Sequence, residues 1–522
     1  MALNRRDLMK VALAEVGVLT AFSPAMAASS AEKPQATKAS TDILIVGAGN
    51  AGIPAAIQAA DLGAKVLLID KNPFTGGMLN ISGGHISGAN AKMQIAKGIQ
   101  DSPSLHYRDA IRMGRYKNNP ELLKLAVENA AAMIDWLVEI GVEFTPESPF
   151  LEDDHEHYSA PRTYMGPEYA RSLLKPLNAE LEKRINNGRV TLQLNTTVTR
   201  LLQNDDGRII GAVTRKETGQ ELPVMAKAVI MASGGYGASD ILKNKHNPKI
   251  AASKVVCLPH ATGDGIIMAE DIGAKLTNMD LFVSFPGAID GTSGRLQHAP
   301  KHFTEGIWVN SQGERFVNEQ TLNPDERERA FLEQADFGFF YLFDHHVRAS
   351  NPGIIGWNHG RIEQEISRGV VHQANTIDEL ANKMGVKPSV LKATTARYNQ
   401  SVLAGIDQDY GREKLQRTLS APPFYAVPIT GSILISHGGI AVNHLLQVID
   451  GDSRSIEGLF AVGETIGSAQ MMGNAVLSGM SVGPAITLGR LVARNAVRYT
   501  RGDPFLMAEC GQENIEKNEI SS

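Results

Sequence analysis

Apolar and polar positions change period several times along this chain, and each change marks an element. Ile43 to Val46 is a short unbroken apolar run, the pattern of a strand buried on both faces. It runs into Gly47, Gly49 and Gly52, after which Ile53, Ala56, Ile57 and Ala60 recur at the spacing of one helix face. A second apolar run closes on Asp70. Further along, 190–224 carries strand-type alternation and reads as a hairpin. The run from Val229 to Met231 is another buried strand, leading to Gly234 and Gly235. A helix opens after Ala261-Thr262-Gly263-Asp264-Gly265 and continues through Ala269. A last strand, Gly458 to Val462, ends in Gly463-Glu464, and a glycine-rich helix is expected from Ser478 to Arg490. Between 280 and 425 the glycine turns disappear and the pattern becomes mixed, with charged helical stretches at Asp325 to Gln334 and Ile377 to Leu403.

Strand, glycine turn, helix and strand within 42–70 form a dinucleotide-binding unit, so the chain is expected to be α/β with a Rossmann-like domain. Gly47 serves the turn, Gly49 the approach of backbone to a pyrophosphate, and Gly52 close packing of helix on sheet. Asn50 and Ala51 complete the turn. The helix N-terminus favours the phosphate charge, and Asp70 stands where a carboxylate accepts from a ribose hydroxyl.

Size and charge narrow the class. With 522 residues, two domains with substantial cores are expected. The 51 basic and 56 acidic residues give a net charge of −5, and no Lys or Arg cluster offers a nucleic-acid face. Cys257 and Cys510 are too few and too far apart for a disulfide framework, a zinc site, an iron–sulfur cluster or a haem attachment. His155 and His157 lack the spacing and partners of a metal site, so no metal is expected. At the N-terminus, Asn4-Arg5-Arg6-Asp7-Leu8-Met9-Lys10 precedes a mildly apolar run and Ala25-Met26-Ala27, resembling a twin-arginine signal peptide over 1–27. That run is short and carries Glu15, which argues against a membrane span, and no span is expected in the mature chain. Export by this route implies a periplasmic protein, folded around its cofactor before transport. A polar linker is expected at 28–40 and a polar tail at 501–522.

Which dinucleotide is decided after Asp70. Lys71, Gly76, Gly77 and Met78, then Ser82, Gly83 and Gly84, let backbone lie along a cofactor longer than its adenine half and meet the polar edge of a flavin. Ala232, Ser233 and Gly234 at the end of one strand, Asp264 at a helix start, and Gly463 with Glu464 after the last strand fit the same template. Asn474, Ser478, Ser481 and Val482 join them. A helix N-terminus near Gly479 or Gly483 would offset negative charge at the N1/O2 edge of a reduced flavin.

At this point the chain resembles the flavoproteins of the fumarate reductase and succinate dehydrogenase type. The resemblance rests on GAGNAG, GGM with SGG, ASGGYG, HATGDGIIMAEDIGA (260–274), GERFVNE (313–319), SHGGIAV (436–442) and LFAVGET (459–465). It implies non-covalent FAD, since the histidine that carries covalent flavin in membrane-complex members has no counterpart in Gly77 to Gly84. It also implies an FAD-binding domain over 41–279 and 433–500, interrupted by an α+β capping domain over 280–432. MMGNAVLSGMSVGPAITLGR (471–490) resembles the soluble branch near 3-ketosteroid dehydrogenases and tricarballylate dehydrogenase, although the steroid enzymes' tyrosine is missing after Gly473.

Fumarate reductases hold substrate carboxylates with two histidines and an arginine, and a further arginine delivers the proton. Here the corresponding positions read Phe285, Leu434, Gln470 and Asn323. A dicarboxylate would lie with its charge unpaired, so fumarate is not the expected substrate. The expected activity is an FAD-dependent transfer of hydride between flavin N5 and an activated carbon–carbon bond, in a small organic acid or cyclic ketone. A 3-ketosteroid-type dehydrogenase and a flavoprotein subunit of an electron-transfer complex are the alternatives. No second GxGxxG offers an NAD(P)H site, so electrons are expected from a separate carrier, a cytochrome or quinone-linked protein. For the proton, His437 beside Gly438-Gly439 is the first candidate, with Tyr164, Tyr236 and Tyr425 in reserve. Arg315 is a catalytic candidate too, but an ion pair holding the cap through Glu319 is the preferred reading.

Overall fold

Ile43, Leu44 and Ile45 are fully buried because a strand at the centre of a sheet is covered on both faces. The computed structural model describes residues 41–152, 156–248, 253–281, 285–289, 305–321, 324–350, 359–504 and 506, all within one unit, Ala39–Ser522. The expected signal peptide and linker, most of the tail, His155, Asn323 and Cys510 lie outside the described residues. So does part of the expected cap.

Five strands run parallel in the order Ser455–Ala461, Glu221–Met231, Thr41–Val46, Val66–Ile69, Val190–Gln193, and Gln447–Ile449 adds an antiparallel edge. Glu221–Met231 serves two sheets at once. Its C-terminal half pairs with Thr41–Val46, while its first half continues the antiparallel meander Thr196–Gln203 and Ile209–Lys216. The helices Gly52–Asp61 and Val482–Thr500 pack on each other against this sheet. Their approach depends on a bare Gly489, where a Cβ would fall 2.5 Å from the Ala51 carbonyl oxygen.

A second sheet is antiparallel, in the order Phe285–Ile289, Phe424–Ile433, Gly338–Asp344, Ile307–Val309, and His372–Ala374 also pairs with the long strand. It draws in Lys254–Val255, parallel to Ser432 and Ile433. Trp308 stacks on Phe339 at 4.4 Å and Phe343 on Tyr425 at 5.1 Å, giving this sheet an aromatic core of its own.

Two expected helices differ in the structure. The stretch 377–403 is two helices, Ile377–Met384 and Pro388–Ala404, because Gly385 takes a left-handed φ of +73° and Pro388 starts the next helix. The helix expected from Ser478 begins at Val482 and runs to Thr500, since Gly479 holds a φ of +72°. Among the described residues no helix is long and apolar enough to cross a membrane.

Candidate cofactor cleft and active site

The C-terminal ends of the parallel strands open on a cleft. Of the residues singled out from sequence, Gly47, Gly49, Asn50, Asp70, Lys71, Gly77, Met78, Ala232, Ser233, Gly234, Asp264 and Glu464 line it. The glycine turn shows what the cleft is built for. A Cβ on Gly47 would meet the Ala232 carbonyl oxygen at 2.2 Å, and one on Gly52 would meet the Gly47 oxygen at 1.8 Å, so protein packing explains both. At Gly49 a Cβ would come no closer than 3.9 Å to Gly77, and at Gly234 it would meet nothing within 4 Å. Protein packing therefore does not explain Gly49, whereas Gly234 is a glycine for its left-handed φ of +79°. The helix behind the turn presents its N-terminus with no side-chain cap and no acid in its first turn, which suits a diphosphate.

Asp70 is occupied by the turn itself. Its Oδ2 accepts from the Ala48 N–H at 2.7 Å, and Oδ1 accepts from the Asn72 backbone and side chain at 2.8 and 2.9 Å. One lone pair on Oδ2 remains for a ribose hydroxyl. Lys71 donates to Thr262 and Asp264, each at 2.7 Å. Burial would raise the Asp264 carboxyl, but hydrogen bonds from Lys71 and Thr262 outweigh it and hold it below the usual range. Glu464 has the opposite balance. Burial pushes it up despite Oε1 accepting from the Ser436 backbone and hydroxyl, both at 2.8 Å. Gly235 must be glycine for this contact, because a Cβ would fall 1.9 Å from Ser436 Oγ.

The other candidates do not line the cleft. Ala51 and Gly52 start the helix, and Gly76 donates to the Ala48 oxygen at 2.7 Å. Gly463 packs on Ala51. Ser82 accepts from the Gly84 N–H at 3.0 Å, with Gly83 between them. Ser478 accepts from Tyr158 and Ser87, Asn474 donates to the Gly114 oxygen, and Ser481 precedes the helix opened by Val482. His260 entered only within the 260–274 motif, and sequence reasoning did not single out Asn72, Thr196, Thr197, Val198 or Leu258, which also line the cleft. Of these, only Asn72, two residues past Asp70, carried a local signal.

None of the proton-handling candidates lines the cleft. His437 is fully buried, with Nε2 3.3 Å from the Ala475 oxygen, and burial pushes its ring down to about 4. Tyr164 is fully buried against Phe144, and burial raises its hydroxyl, as it does for Tyr236 and Tyr425. Arg315 forks to Glu319 at 2.8 Å and to Asp407 at 3.0 Å, between the rings of Tyr398 and Tyr410. This is the arrangement of a tie inside the second sheet's layer, and it reaches further than the single ion pair to Glu319 expected from sequence.

Fold and cleft together define a dinucleotide-binding protein with a Rossmann-type glycine turn. The chain belongs to the family of the FAD binding domain, whose profile matches residues 42–482. It is 31% identical over 462 residues to a probable fumarate reductase of Shewanella frigidimarina, covering 88% of this chain and 75% of that protein. It is 30% identical over 479 residues to urocanate reductase of Eggerthella lenta, covering 89% and 76%. Among solved structures, the open conformation of a flavocytochrome c3 fumarate reductase superposes with a TM-score of 0.71 at 28% identity, covering 88% of this chain and 78% of that one. The chain is therefore an FAD-dependent oxidoreductase of the fumarate reductase family, whose members act on carbon–carbon single or double bonds.

Proposed function

We propose that this protein reduces a C=C bond conjugated to a carbonyl or carboxyl group, or forms one, in a small organic acid or cyclic ketone other than fumarate. One observation carries the reading. Each buried arginine among the described residues is already engaged by the protein: Arg162 by Asp101 and Asp109, Arg315 by Glu319 and Asp407, Arg327 by the Glu319 carbonyl, Arg348 by Glu363, and Arg412 by the Gly306 carbonyl. Gln470 is buried where relatives of this family present a guanidinium. Among the described residues no buried arginine is left to fork to a second carboxylate, which would cost several kcal/mol to bury unpaired. The urocanate reductase relative supports a substrate with an extended conjugated acid.

FAD held without a covalent link would lay its diphosphate on the Gly47–Gly52 turn and its ribose against Asp70, with Glu464 facing the ribityl chain. Bound flavin supplies the two-electron exchange with the substrate carbon. The chain's part is to exclude water, orient the bond and move one proton. We further propose export through the twin-arginine route to the periplasm and a separate cytochrome or quinone-linked electron carrier. The capping domain proposed for 280–432 would close over the substrate.

Purified, FAD-loaded protein is reduced with viologen and offered a panel of enoates, enones and fumarate; saturated partners are offered with an artificial acceptor. Turnover of a conjugated monoacid or enone well above fumarate is expected. Fumarate as the best substrate, or no turnover in either direction, would overturn the reading.

A further inference from the structure

We propose that the side-chain oxygen of Asn72 holds one hydroxyl of the adenosine ribose of FAD while Asp70 holds the other, so that the two residues read the vicinal diol together. The proposal rests on FAD as the cofactor and is independent of which substrate reacts.

Asn72 lines the cleft two residues past Asp70 and is 6% exposed. Its backbone N–H and its Nδ2 both donate to Asp70 Oδ1, at 2.8 and 2.9 Å. The second bond fixes which end of the carboxamide is which. A carboxylate oxygen accepts and does not donate, so the amide nitrogen faces Asp70 and the amide oxygen points away from it. That oxygen, Oδ1, is buried without a hydrogen-bond partner. Both ring nitrogens of His106 and Nδ1 of His437 share that condition, but neither residue lines the cleft. A buried acceptor left unmade costs free energy, and each one calls for a use.

The carboxamide is mounted between two elements. The Asn72 carbonyl accepts from the Asn195 N–H at 3.1 Å, and the Thr196 N–H donates to the Asp70 carbonyl at 3.0 Å. These bonds join the end of the second strand of the dinucleotide unit to the start of the meander, whose Thr196, Thr197 and Val198 line the same cleft.

The donor that fits is a diol. Asp70 Oδ2 already accepts from the Ala48 N–H and keeps one lone pair, enough for a single hydroxyl. Asn72 Oδ1 supplies a second acceptor one side chain away. Ribose offers two adjacent hydroxyls, and each can donate. A 2′-phosphate would bring negative charge and no donor to two acceptors, so the same pair selects against phosphorylated ribose.

Fluorescence titration of flavin-free protein tests this with FAD and its 2′-deoxyadenosine and 3′-deoxyadenosine analogues. Wild type is expected to bind each analogue about tenfold more weakly than FAD, because each loses the bond to its own acceptor. Asn72→Leu, similar in volume and without an acceptor, should bind FAD about tenfold more weakly and become indifferent to one analogue while staying sensitive to the other. Either analogue binding to wild type within about twofold of FAD overturns the diol reading. Unchanged ratios in Asn72→Leu overturn it as well, since a residue that merely positions Asp70 lowers all three affinities by one factor. Ratios within one protein cancel general damage, which melting of flavin-free Asn72→Leu reports separately. Should that variant bind no FAD, the two wild-type ratios decide alone. Wild type that binds no FAD would overturn the cofactor reading itself, a result distinct from any of these ratios.

Discussion

Lys71 Nζ and Asp264 Oδ2 stand 2.7 Å apart across the cleft, although 193 residues separate them. The pair joins the second strand of the dinucleotide unit to the loop that opens helix Asp264–Asp271, so it sets the width of the cleft. Both side chains are partly exposed, and such a pair contributes at most about 1 kcal/mol to stability. Asp264→Asn is therefore expected to leave the thermal midpoint of flavin-free protein nearly unchanged. FAD affinity should fall by roughly tenfold, since about 1.4 kcal/mol of cleft preorganisation corresponds to that factor. Fluorescence titration and thermal melts on the same samples separate the two effects.

Gly47 and Gly49 are expected to answer differently to alanine. Gly47→Ala sets a Cβ against the Ala232 carbonyl at a φ of +109° and should destabilise the flavin-free protein by several kcal/mol. Gly49→Ala meets nothing in the protein closer than ordinary contact, Gly77 Cα at 3.9 Å, so its flavin-free melting should match wild type while FAD binding is lost. Melting curves with and without FAD would show this; equal losses of stability for both variants would contradict the assignment of the turn.

His437 predicts a pH dependence of stability with a definite sign. An unfolded imidazole titrates near 6.5, while burial holds this one down to about 4. Between those values the unfolded chain binds the proton and the folded one does not. Stability from this group is therefore complete above the unfolded value and lost as pH falls toward about 4. His437→Gln should flatten that part of the curve, measured by denaturant unfolding between about pH 4 and about pH 8. The same variant should keep flavin reoxidation within about tenfold of wild type.

Removing the Arg315 guanidinium leaves Glu319 and Asp407 buried without their partner. Arg315→Met should cost about 3 to 5 kcal/mol, read as a lowered unfolding midpoint, with FAD absorbance retained below the new transition. Loss of substrate turnover in a variant that keeps wild-type stability would return Arg315 to the catalytic candidates.

The cofactor half of the site was legible because its information is local. Gly47, Gly49, Gly52 and Asp70 fall within one βαβ unit, where chain spacing sets spatial spacing. The break between Met384 and Pro388 was legible too, in Gly385 and Pro388, but was overridden by a helical period continuing on both sides. Thr196 and Thr197 enter the cleft from a meander whose position depends on a neighbouring strand, and no local pattern points there. His437 had the right chemistry and the right neighbours, and only burial shows that its ring stays neutral.

From the order of its residues alone this chain declared an FAD-binding α/β fold, since strands, turns and helices follow from periodicity and from the few residues that tolerate special backbone angles. Which ionisable groups meet was decided by packing. His85 with Glu152, Arg315 with Asp407 and Lys71 with Asp264 come from distant segments, and their protonation and pairing depend on burial and distance, quantities that exist only once the chain is folded.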